Sequence, residues 1–468
     1  MTDRTQHGSP EPIMDTTFDF AIIGAGAAGE AATHLARKRG ASVVVIDRDL
    51  FGGSCPFWAC MPSKTLLHAA SVHAAGGSYD WGRASDRRDY MISREGTDYP
   101  SDDGHVKGLE DAGAVVMRGT GRVAGPGRVS VTHDGAEHTV EARHIVLAVG
   151  SLPAIPSIEG LEDVDAWTNR EATSTRELPA SIVILGAGPT GIEMAQVFAR
   201  YGVRTVLVSA SARVNPHGHA PNSAFLEETL KADGVDIRTD LRAVRIEARA
   251  GTDGAHIVDL SDGSSVEGHQ IMLATGRRLP LADLGLESVG VHADDGDLPV
   301  GPDLRITEGI FVAGDVAGPE MHTHVAHYQG EMAVRIALGD DVRPDYRAIP
   351  RAVYTDPEVA GVGLSLEQAT AEGYDAFEKT ADLASSAKGY VSEAAGHVTI
   401  VVDRSSRTLL GAFIAGPAAS EAIHEAVLAI KTRTPLDVLA DTIHAFPTTA
   451  RVMGGLFTQA VDTLDGGS

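Results

Sequence analysis

The stretch Phe18–Asp47, FDFAIIGAGAAGEAATHLARKRGASVVVID, decides the fold. An apolar strand runs into a glycine-rich turn, an alanine-rich helix follows as far as Lys38, and a second apolar strand ends in an acid. The residues that define this pattern are Gly24, Gly26, Gly29 and Asp47. Such glycines let the backbone approach a pyrophosphate at the helix N-terminus, and the acid accepts hydrogen bonds from an adenosine ribose. The stretch therefore predicts a dinucleotide-binding βαβ unit.

The same pattern recurs from Ser181, in SIVILGAGPTGIEMAQVFARYGVRTVLVSASAR. Its three glycines are Gly186, Gly188 and Gly191. The position that holds the acid in the first copy is Ser209 here, and Arg213 follows four residues later. A serine removes the carboxylate that would repel a ribose 2′-phosphate, and an arginine can donate to that phosphate. This second site favours NADPH over NADH, whereas Asp47 suits FAD or NAD. The alternative is that Arg213 and Arg204 only face solvent.

Three shorter stretches complete a two-nucleotide architecture. HIVLAVGS (144–151) and IMLATGRRLP (271–280) are apolar strands that end in glycine turns, at Gly150 and Gly276. ITEGIFVAGDVAG (306–318) places Gly314 and Asp315 at the carboxyl end of another apolar strand. Ligands of open α/β sheets bind at that end, and an aspartate there can accept a hydrogen bond from a flavin ribityl chain. The pattern indicates a flavoprotein that receives electrons from a nicotinamide.

Composition narrows the class of protein. The chain has 468 residues, which suggests two to four domains, and 43% of them are hydrophobic, with no apolar run of membrane-spanning length. Its net charge of −25 argues against nucleic acid or an anionic membrane as a partner. The polar start, residues 1–16, is predicted to be a loose tail. Two cysteines cannot form a disulfide framework, so a cytoplasmic location is expected.

These motifs, in this order, resemble the class I pyridine nucleotide–disulfide oxidoreductases, over about 18–464. VYTDPEVAGVGLS (353–365) and GAFIAGPAASEAI (411–423) resemble the family's dimerisation domain. The resemblance implies an α/β fold with two Rossmann-like dinucleotide-binding domains and a C-terminal α+β dimerisation domain. The expected divisions are FAD binding over 17–150 and 280–345, NAD(P) binding over 151–279, and an interface domain over 346–468. FAD and NADPH are the implied cofactors, and a homodimer is the implied assembly.

The segment GGSCPFWACMPSK (52–64) holds the only two cysteines, Cys55 and Cys60. The resemblance implies that they form a redox-active disulfide, with Cys60 beside the flavin and Cys55 exchanging with substrate. On a regular helix, residues five apart point about 140° away from each other. A bridge therefore needs a distorted first turn, and a strained, accessible disulfide is easily reduced. The alternative is a pair of structural thiols without a chemical role.

Further site residues follow from the same resemblance. Lys64 and Glu193 would form an ion pair close to the flavin, where a cation stabilises negative charge on the reduced ring. Gly53 and Ser54, which precede the first cysteine, would contact FAD. Independently of the resemblance, Phe57 and Trp58, between the cysteines, are expected to have a packing role; the alternative is that they stack on a substrate.

The C-terminal segment IHAFPTTAR (443–451) departs from the family pattern. Disulfide reductases of this family have a His-Pro-Thr motif there, with a glutamate five residues after the histidine. In the family, that pair reaches the disulfide of the other subunit, and the histidine acts as general base for the interchange thiol. Here Phe446 occupies the histidine position and Arg451 the glutamate position. A positioned base contributes about 10²–10⁴-fold to proton transfer, which a phenylalanine cannot supply. His444 could replace the base if the loop shifts its register.

Phe446 and a non-acidic partner resemble one branch of the family, 2-ketopropyl-coenzyme M oxidoreductase/carboxylase. The chain departs from it at Ser63 and Lys64, where that enzyme has two histidines. The leading hypothesis is NAD(P)H-dependent reduction, through FAD and the cysteine pair, of a small sulfur-containing or soft electrophilic substrate. The alternatives are carboxylation or C–S bond cleavage, a dihydrolipoamide dehydrogenase or diaphorase activity, and a non-enzymatic redox sensor.

Two other polar clusters carry weaker signals. MHTHVAH (321–327) contains no acid or cysteine that would complete a ligand set, so no metal site is predicted. Charged residues near position 100 are predicted to form a solvated surface stretch: Arg87, Arg88, Arg94, Asp102 and Asp103.

Overall fold

The computed structural model describes residues 17–93, 100–249, 254–293 and 297–466. The predicted loose tail, residues 1–16, and Arg94 lie outside these ranges. Within the ranges, no helix is both long enough and apolar enough to cross a membrane.

The α-helices are α1 (Ala27–Lys38), α2 (Ser54–Trp58), α3 (Cys60–Ala74), α4 (Trp81–Ser93), α5 (Asp103–Asp111), α6 (Asn169–Ser174), α7 (Pro189–Arg200), α8 (Ala220–Ala232), α9 (Thr323–Ala337), α10 (Leu366–Ala371), α11 (Ala387–Ser392), α12 (Ala419–Ala422), α13 (His424–Thr432), α14 (Leu436–Ala440) and α15 (Thr449–Leu464).

The strands are β1 (Thr17–Ile23), β2 (Val43–Asp47), β3 (Val115–Arg118), β4 (Thr120–Val123), β5 (Arg128–His133), β6 (Ala136–Leu147), β7 (Leu152–Pro153), β8 (Ser181–Leu185), β9 (Arg204–Val208), β10 (Asp236–Arg238), β11 (Ala243–Glu247), β12 (His256–Leu260), β13 (Ser265–Gly268), β14 (Gln270–Leu273), β15 (Arg277–Arg278), β16 (Arg305–Thr307), β17 (Ile310–Val312), β18 (Arg351–Val353), β19 (Glu358–Gly363), β20 (Ala376–Asp382), β21 (His397–Asp403) and β22 (Thr408–Gly416).

The chain forms two compact units, and the first contains the described residues of 1–57, 97–152 and 278–344. Its central sheet has the order β16-β17-β6-β1-β2-β3, with β17, β6, β1, β2 and β3 parallel. These strands are near-continuous apolar runs because helices cover them, as is usual for parallel sheets. Helices α1 and α9 pack closely, since a Cβ at Gly330 would overlap the backbone of Ala28.

The second unit contains the described residues of 58–96, 153–277 and 345–468. It has a parallel sheet of order β10-β9-β8-β14 and a five-stranded antiparallel sheet of order β18-β19-β22-β21-β20. Helices α3 and α7 pack together, and α13 and α15 pack on the antiparallel sheet. The two parallel sheets and the C-terminal α+β layer confirm the predicted fold class. The three-domain division remains a prediction, and 58–96 clusters with the second unit.

The prediction that the charged residues near position 100 form a solvated surface stretch was wrong at two of them. Arg88 is fully buried, and its guanidinium donates to the carbonyls of Thr173 and Thr175, at 3.0 and 2.8 Å. These carbonyls lie at the end of α6, where helical partners run out. Asp102 is also buried, and it accepts from the Phe51 amide at 2.9 Å and forms an ion pair with Arg118. Both charged side chains are buried because they form hydrogen bonds or ion pairs with groups that are distant in sequence.

Candidate flavin and disulfide site

The first glycine turn forms a backbone cradle at the start of α1. Gly24 has φ +102°, and a Cβ there would overlap the carbonyl of Ala148. A Cβ at Gly29 would likewise overlap the carbonyl oxygen of Gly24. The helix that follows Gly26 has no side-chain cap, so its first amides point outward. Gly53 approaches Gly26 closely, since a Cβ at Gly53 would lie 2.7 Å from the Gly26 Cα. The cradle fits the pyrophosphate of FAD.

Asp47 lies beside this cradle, at the end of β2. Its Oδ2 accepts from the Ala25 amide at 2.6 Å, and its Oδ1 accepts from the Asp49 amide at 2.9 Å. Burial raises the pKa of Asp47 above its ordinary value, although these hydrogen bonds oppose the shift. Each oxygen keeps a second lone pair, so the carboxylate is free to accept from a ribose hydroxyl, and that contact stays a prediction.

The predicted flavin turn at Gly314 and Asp315 is held by two side chains that sequence reasoning missed. The Ser151 hydroxyl donates to the Asp315 carboxylate. The buried Gln329 accepts from the Gly314 amide at 2.9 Å and donates to the Gly318 carbonyl. No sequence motif marks Gln329, which lies on α9. The arrangement orients the aspartate at the carboxyl end of β17, where a ribityl chain would bind.

A histidine–glutamate pair supports the segment before the cysteines. His105 Nδ1 lies 2.7 Å from Glu30 Oε1, and its ring packs 5.6 Å from that of Phe57. A Cβ on Gly52 would clash with the His105 ring, so only glycine fits there. Phe57 is fully buried, which agrees with the predicted packing role. The pair therefore links α1, α5 and the start of the cysteine segment.

We expect this pair to make stability pH-dependent. The hydrogen bond that the His105 ring donates to Glu30 raises the pKa of His105, and burial only partly opposes that shift. Because the folded pKa lies above the unfolded value of about 6.5, the contribution is complete below pH 6.5 and is lost as pH rises through the folded pKa. Urea unfolding at pH 6 and pH 8.5 should therefore show a smaller pH-dependent loss for Glu30→Gln than for the wild type. An equal loss in both proteins would contradict this assignment.

The second glycine turn repeats the cradle before α7. A Cβ at Gly186 would overlap the Ala274 carbonyl, and one at Gly191 would overlap the Gly186 carbonyl. Gly188 and Gly276 face open space, which leaves room for a bound phosphate. The predicted 2′-phosphate residues lie in the loop after β9: Ser209 is buried, and Arg213 donates to the carbonyls of Pro216 and Gly218, at 2.8 and 3.0 Å.

The two cysteines lie on successive helices. Ser54 begins α2, Cys55 follows it, and Cys60 is the first residue of the 15-residue α3. The single residue between the helices, Ala59, has φ −131° and ψ −98°, so the helical backbone is interrupted between the cysteines. Both cysteines are half-buried. A thiolate at Cys60 would be stabilised by the N-terminal amides of α3.

The structure brings Lys64 and Glu193 together. Lys64 Nζ lies 2.8 Å from Oε2 and 3.1 Å from Oε1 of Glu193. The Glu193 side chain is only 5% exposed, whereas that of Lys64 is 36% exposed. Since α3 and α7 pack together, a lysine one turn after Cys60 meets a glutamate on the nucleotide-binding helix. The ammonium is therefore held one turn beyond the Cys60 position.

In the C-terminal loop, Phe446 and His444 have opposite orientations. Phe446 is 74% exposed, and Arg451 is exposed one turn into α15. The His444 side chain is only 5% exposed, and its Nε2 lies 2.9 and 3.0 Å from the oxygens of Glu425. Its ring occupies the space that a Cβ on Gly454 would need. Within this chain, the phenylalanine faces outward and the histidine is engaged inward.

The histidines of 321–327 contact their neighbours in the chain. His322 Nε2 lies 3.0 Å from Glu320 Oε2, and its ring stacks on His324. In the part of the chain that the structure describes, no group of three or more His, Cys, Asp or Glu is arranged to hold a metal ion.

Comparisons with known proteins agree with this geometry. Residues 18–330 match the family described as pyridine nucleotide-disulphide oxidoreductase, and 349–456 match its dimerisation domain. The chain is 32% identical to a dihydrolipoyl dehydrogenase from Halobacterium salinarum, covering 93% of this chain and 94% of that protein. It is 33% identical to a mercuric reductase from Streptomyces lividans, covering 94% and 95%.

Solved structures show the same fold. LpdA from Mycobacterium tuberculosis is 27% identical, with a TM-score of 0.85 over 95% of this chain and 99% of that one. The flavoprotein disulfide reductase RclA from Escherichia coli is 24% identical, with a TM-score of 0.84 over 94% and 99%. The chain belongs to the pyridine nucleotide–disulphide oxidoreductases and is a flavoprotein enzyme of that family.

Proposed function

We propose that this enzyme uses NAD(P)H to reduce a small sulfur-containing or soft electrophilic substrate through FAD and a Cys55–Cys60 disulfide. The observation that carries the proposal is the position of Cys60 at the N-terminus of α3, one turn before a lysine paired with a buried glutamate. That arrangement favours a thiolate at Cys60 and a fixed cation nearby. NADPH is the favoured donor because Ser209 replaces an acid. A cytoplasmic homodimer is part of the same proposal.

The reaction balances over two electrons. Bound FAD would supply two-electron transfer between reduced nicotinamide and a disulfide. Two electrons and one proton convert the Cys55–Cys60 disulfide into a thiol at Cys55 and a thiolate at Cys60. After losing its proton, Cys55 attacks a substrate sulfur, the substrate S–S bond breaks, and one thiolate leaves. Cys60 then attacks Cys55, which restores the enzyme disulfide and releases the second thiolate.

Proton transfer is where this enzyme would differ from its relatives. The leaving thiolate and the Cys55 thiol both need a proton carrier, and we propose that the C-terminal loop lacks the family's His–Glu pair. Phe446 is exposed at the histidine position, and His444 is buried against Glu425. A histidine whose side chain is only 5% exposed is poorly placed to reach a substrate. The enzyme therefore favours substrates whose products leave as stable anions.

A second candidate reaction follows from the same loop. An exposed phenylalanine beside a reacting carbanion would exclude protons, as a carboxylase or C–S bond-cleaving enzyme of the 2-ketopropyl-coenzyme M type requires. Such an enzyme would form a product only in the presence of carbon dioxide. Ser63 and Lys64 argue against carrying the whole reaction over, because that branch has two histidines there. Dihydrolipoamide dehydrogenase or diaphorase activity is the remaining alternative.

An anaerobic titration with NADPH, with NADH in parallel, tests the proposal. We expect a long-wavelength band from a thiolate beside the flavin to appear before the flavin bleaches, and to vanish in Cys60→Ser. Direct bleaching without that band in the wild type would mean that the cysteines are not coupled to FAD, and a diaphorase function would replace the proposal. If the spectral change is complete at a lower concentration of NADPH than of NADH, NADPH is supported as the electron donor.

A further inference from the structure

The segment Tyr354–Pro357, which joins β18 to β19, lies along one face of α7. That face carries Glu193, Gln196 and Arg200, at helical spacings of three and four. All these residues belong to the second unit. Each of the three helix residues bonds to the segment. The segment was recognised in the sequence only as part of the dimerisation domain.

Asp356 anchors the segment. Its amide donates to Gln196 Oε1 at 2.8 Å, and its carbonyl accepts from Gln196 Nε2 at 3.0 Å. Arg200 donates to both its carboxylate and its carbonyl, at 2.8 and 2.6 Å. Gln196 is fully buried, so its two bonds to the Asp356 backbone are sheltered from water and are costly to break. The Ser71 hydroxyl, on α3, donates to the same carboxylate. The segment is thus fastened to both α7 and α3.

Tyr354, two residues earlier, contacts both members of the ion pair. Its amide donates to Glu193 Oε1 at 3.1 Å. Its ring centroid lies 4.6 Å from Lys64 Nζ, within the range of a cation–π interaction. A tyrosine with an ordinary pKa is neutral at physiological pH, and burial raises the pKa of Tyr354 further, so its neutral ring faces the ammonium. The Lys64 ammonium therefore has a carboxylate and an aromatic face as partners.

We propose that Tyr354 is a positioning residue, whose ring and amide hold the Lys64–Glu193 pair in the geometry that the electron relay needs. A lysine side chain that is 36% exposed has four rotatable bonds and can otherwise turn to solvent. A single carboxylate restrains the ammonium in distance, and the ring adds a second direction of attraction. The inference rests on the proposed function, because the role of Lys64 in the relay is part of that proposal.

The test is a double-mutant cycle in the FAD-loaded enzyme, with Tyr354→Leu, Tyr354→Phe, Lys64→Met and the double variant Lys64→Met/Tyr354→Leu. Leucine removes the ring but leaves the backbone amide, and phenylalanine keeps the ring. We expect Tyr354→Leu to slow anaerobic reduction of the flavin by NADPH about 3–10-fold, the range of a cation–π contact. Tyr354→Phe should behave like the wild type. In the Lys64→Met background, Tyr354→Leu should have no further effect.

A second readout follows Lys64 itself. Limited acylation with an amine-reactive reagent, quantified by peptide mass spectrometry, should label Lys64 about 3–5-fold faster in Tyr354→Leu. Labelling of Lys231, which is paired with Glu227 in the same unit, should not change. The matched control is Tyr90→Leu: Tyr90 is as exposed as Tyr354, both at 39%, and its ring faces Arg87. This variant should change neither readout.

The outcomes separate the two proposals. Equal effects of Tyr354→Leu in the wild-type and Lys64→Met backgrounds, or unchanged labelling of Lys64, would overturn the positioning role. A similar loss in Tyr354→Phe would assign the effect to the hydroxyl and overturn it also. Failure of the proposed function appears elsewhere, as a wild-type titration without the thiolate band. Faster Lys64 labelling in Tyr354→Leu would still support the contact in that case.

Discussion

Cys55→Ser should reduce NADPH-dependent reduction of an aromatic disulfide at least about a thousandfold, because a serine hydroxyl cannot replace the attacking thiolate. Reduction of a one-electron dye by the same variant should fall less than about threefold, since that reaction needs the flavin but no cysteine nucleophile. The two rates are measured by stopped-flow absorbance on one preparation, so loss of FAD would lower both.

Cys60→Ser is the matched control for this prediction. It leaves Cys55 to attack one substrate disulfide but removes the thiol that releases the product, so we expect a single turnover that stops at the mixed disulfide. Mass spectrometry of the variant after substrate should then show an adduct on Cys55. Steady turnover of the aromatic disulfide by Cys55→Ser would show that electrons leave from the flavin directly, and the relay would have to be abandoned.

Phe446→His should give the second largest effect. If the enzyme reduces disulfides without a positioned base, a histidine at this exposed position restores a proton carrier and raises kcat/KM about 10²-fold. The increase in kcat/KM should titrate with a pKa near that of histidine. The double variant Phe446→His/Arg451→Glu should increase kcat/KM further, because a carboxylate orients the imidazole. The measurement is the pH profile of kcat/KM, from pH 5.5 to 9, in the FAD-loaded enzyme.

Ile443→His controls for adding an imidazole to the same loop. Ile443 is 98% exposed, three residues before Phe446, and a histidine there should leave the pH profile unchanged. Equal gains in both variants would mean that the position of the base is unimportant. Loss of a carbon dioxide-dependent product in Phe446→His, with no gain in disulfide reduction, would favour the carboxylase alternative over the reductase.

The parts of the site that could be predicted directly from the residues are local. The turns at Gly24 and Gly186 each lie between a strand and a helix, and their positive φ angles and tight carbonyl contacts admit only glycine. A pattern of this kind is readable because all of its members lie within about 30 residues. The pairing of Lys64 with Glu193 is different: 129 residues separate them, and only the resemblance to a family brought them together in advance.

The predictions that failed concern charged side chains. Arg88 and Asp102 lie in charged, polar stretches that read as surface, yet both are buried. Arg88 donates hydrogen bonds to backbone carbonyls at the end of α6, about 85 residues away in sequence. Asp102 accepts a hydrogen bond from the Phe51 amide. Orphan backbone groups at a helix end exist only once the fold is formed, so no local pattern shows which arginine will meet them.

The sequence alone determined the order of the nucleotide folds, their glycine turns, the spacing of the two cysteines and the presence of a phenylalanine at position 446. Those features depend on backbone conformation and side-chain chemistry within short segments. Only the tertiary structure decided that His444 turns inward to Glu425, that Gln329 holds the flavin turn, and that Tyr354 lies against Lys64. Each of these is a contact between segments far apart in the chain, and its energy depends on a distance and a burial that packing alone sets.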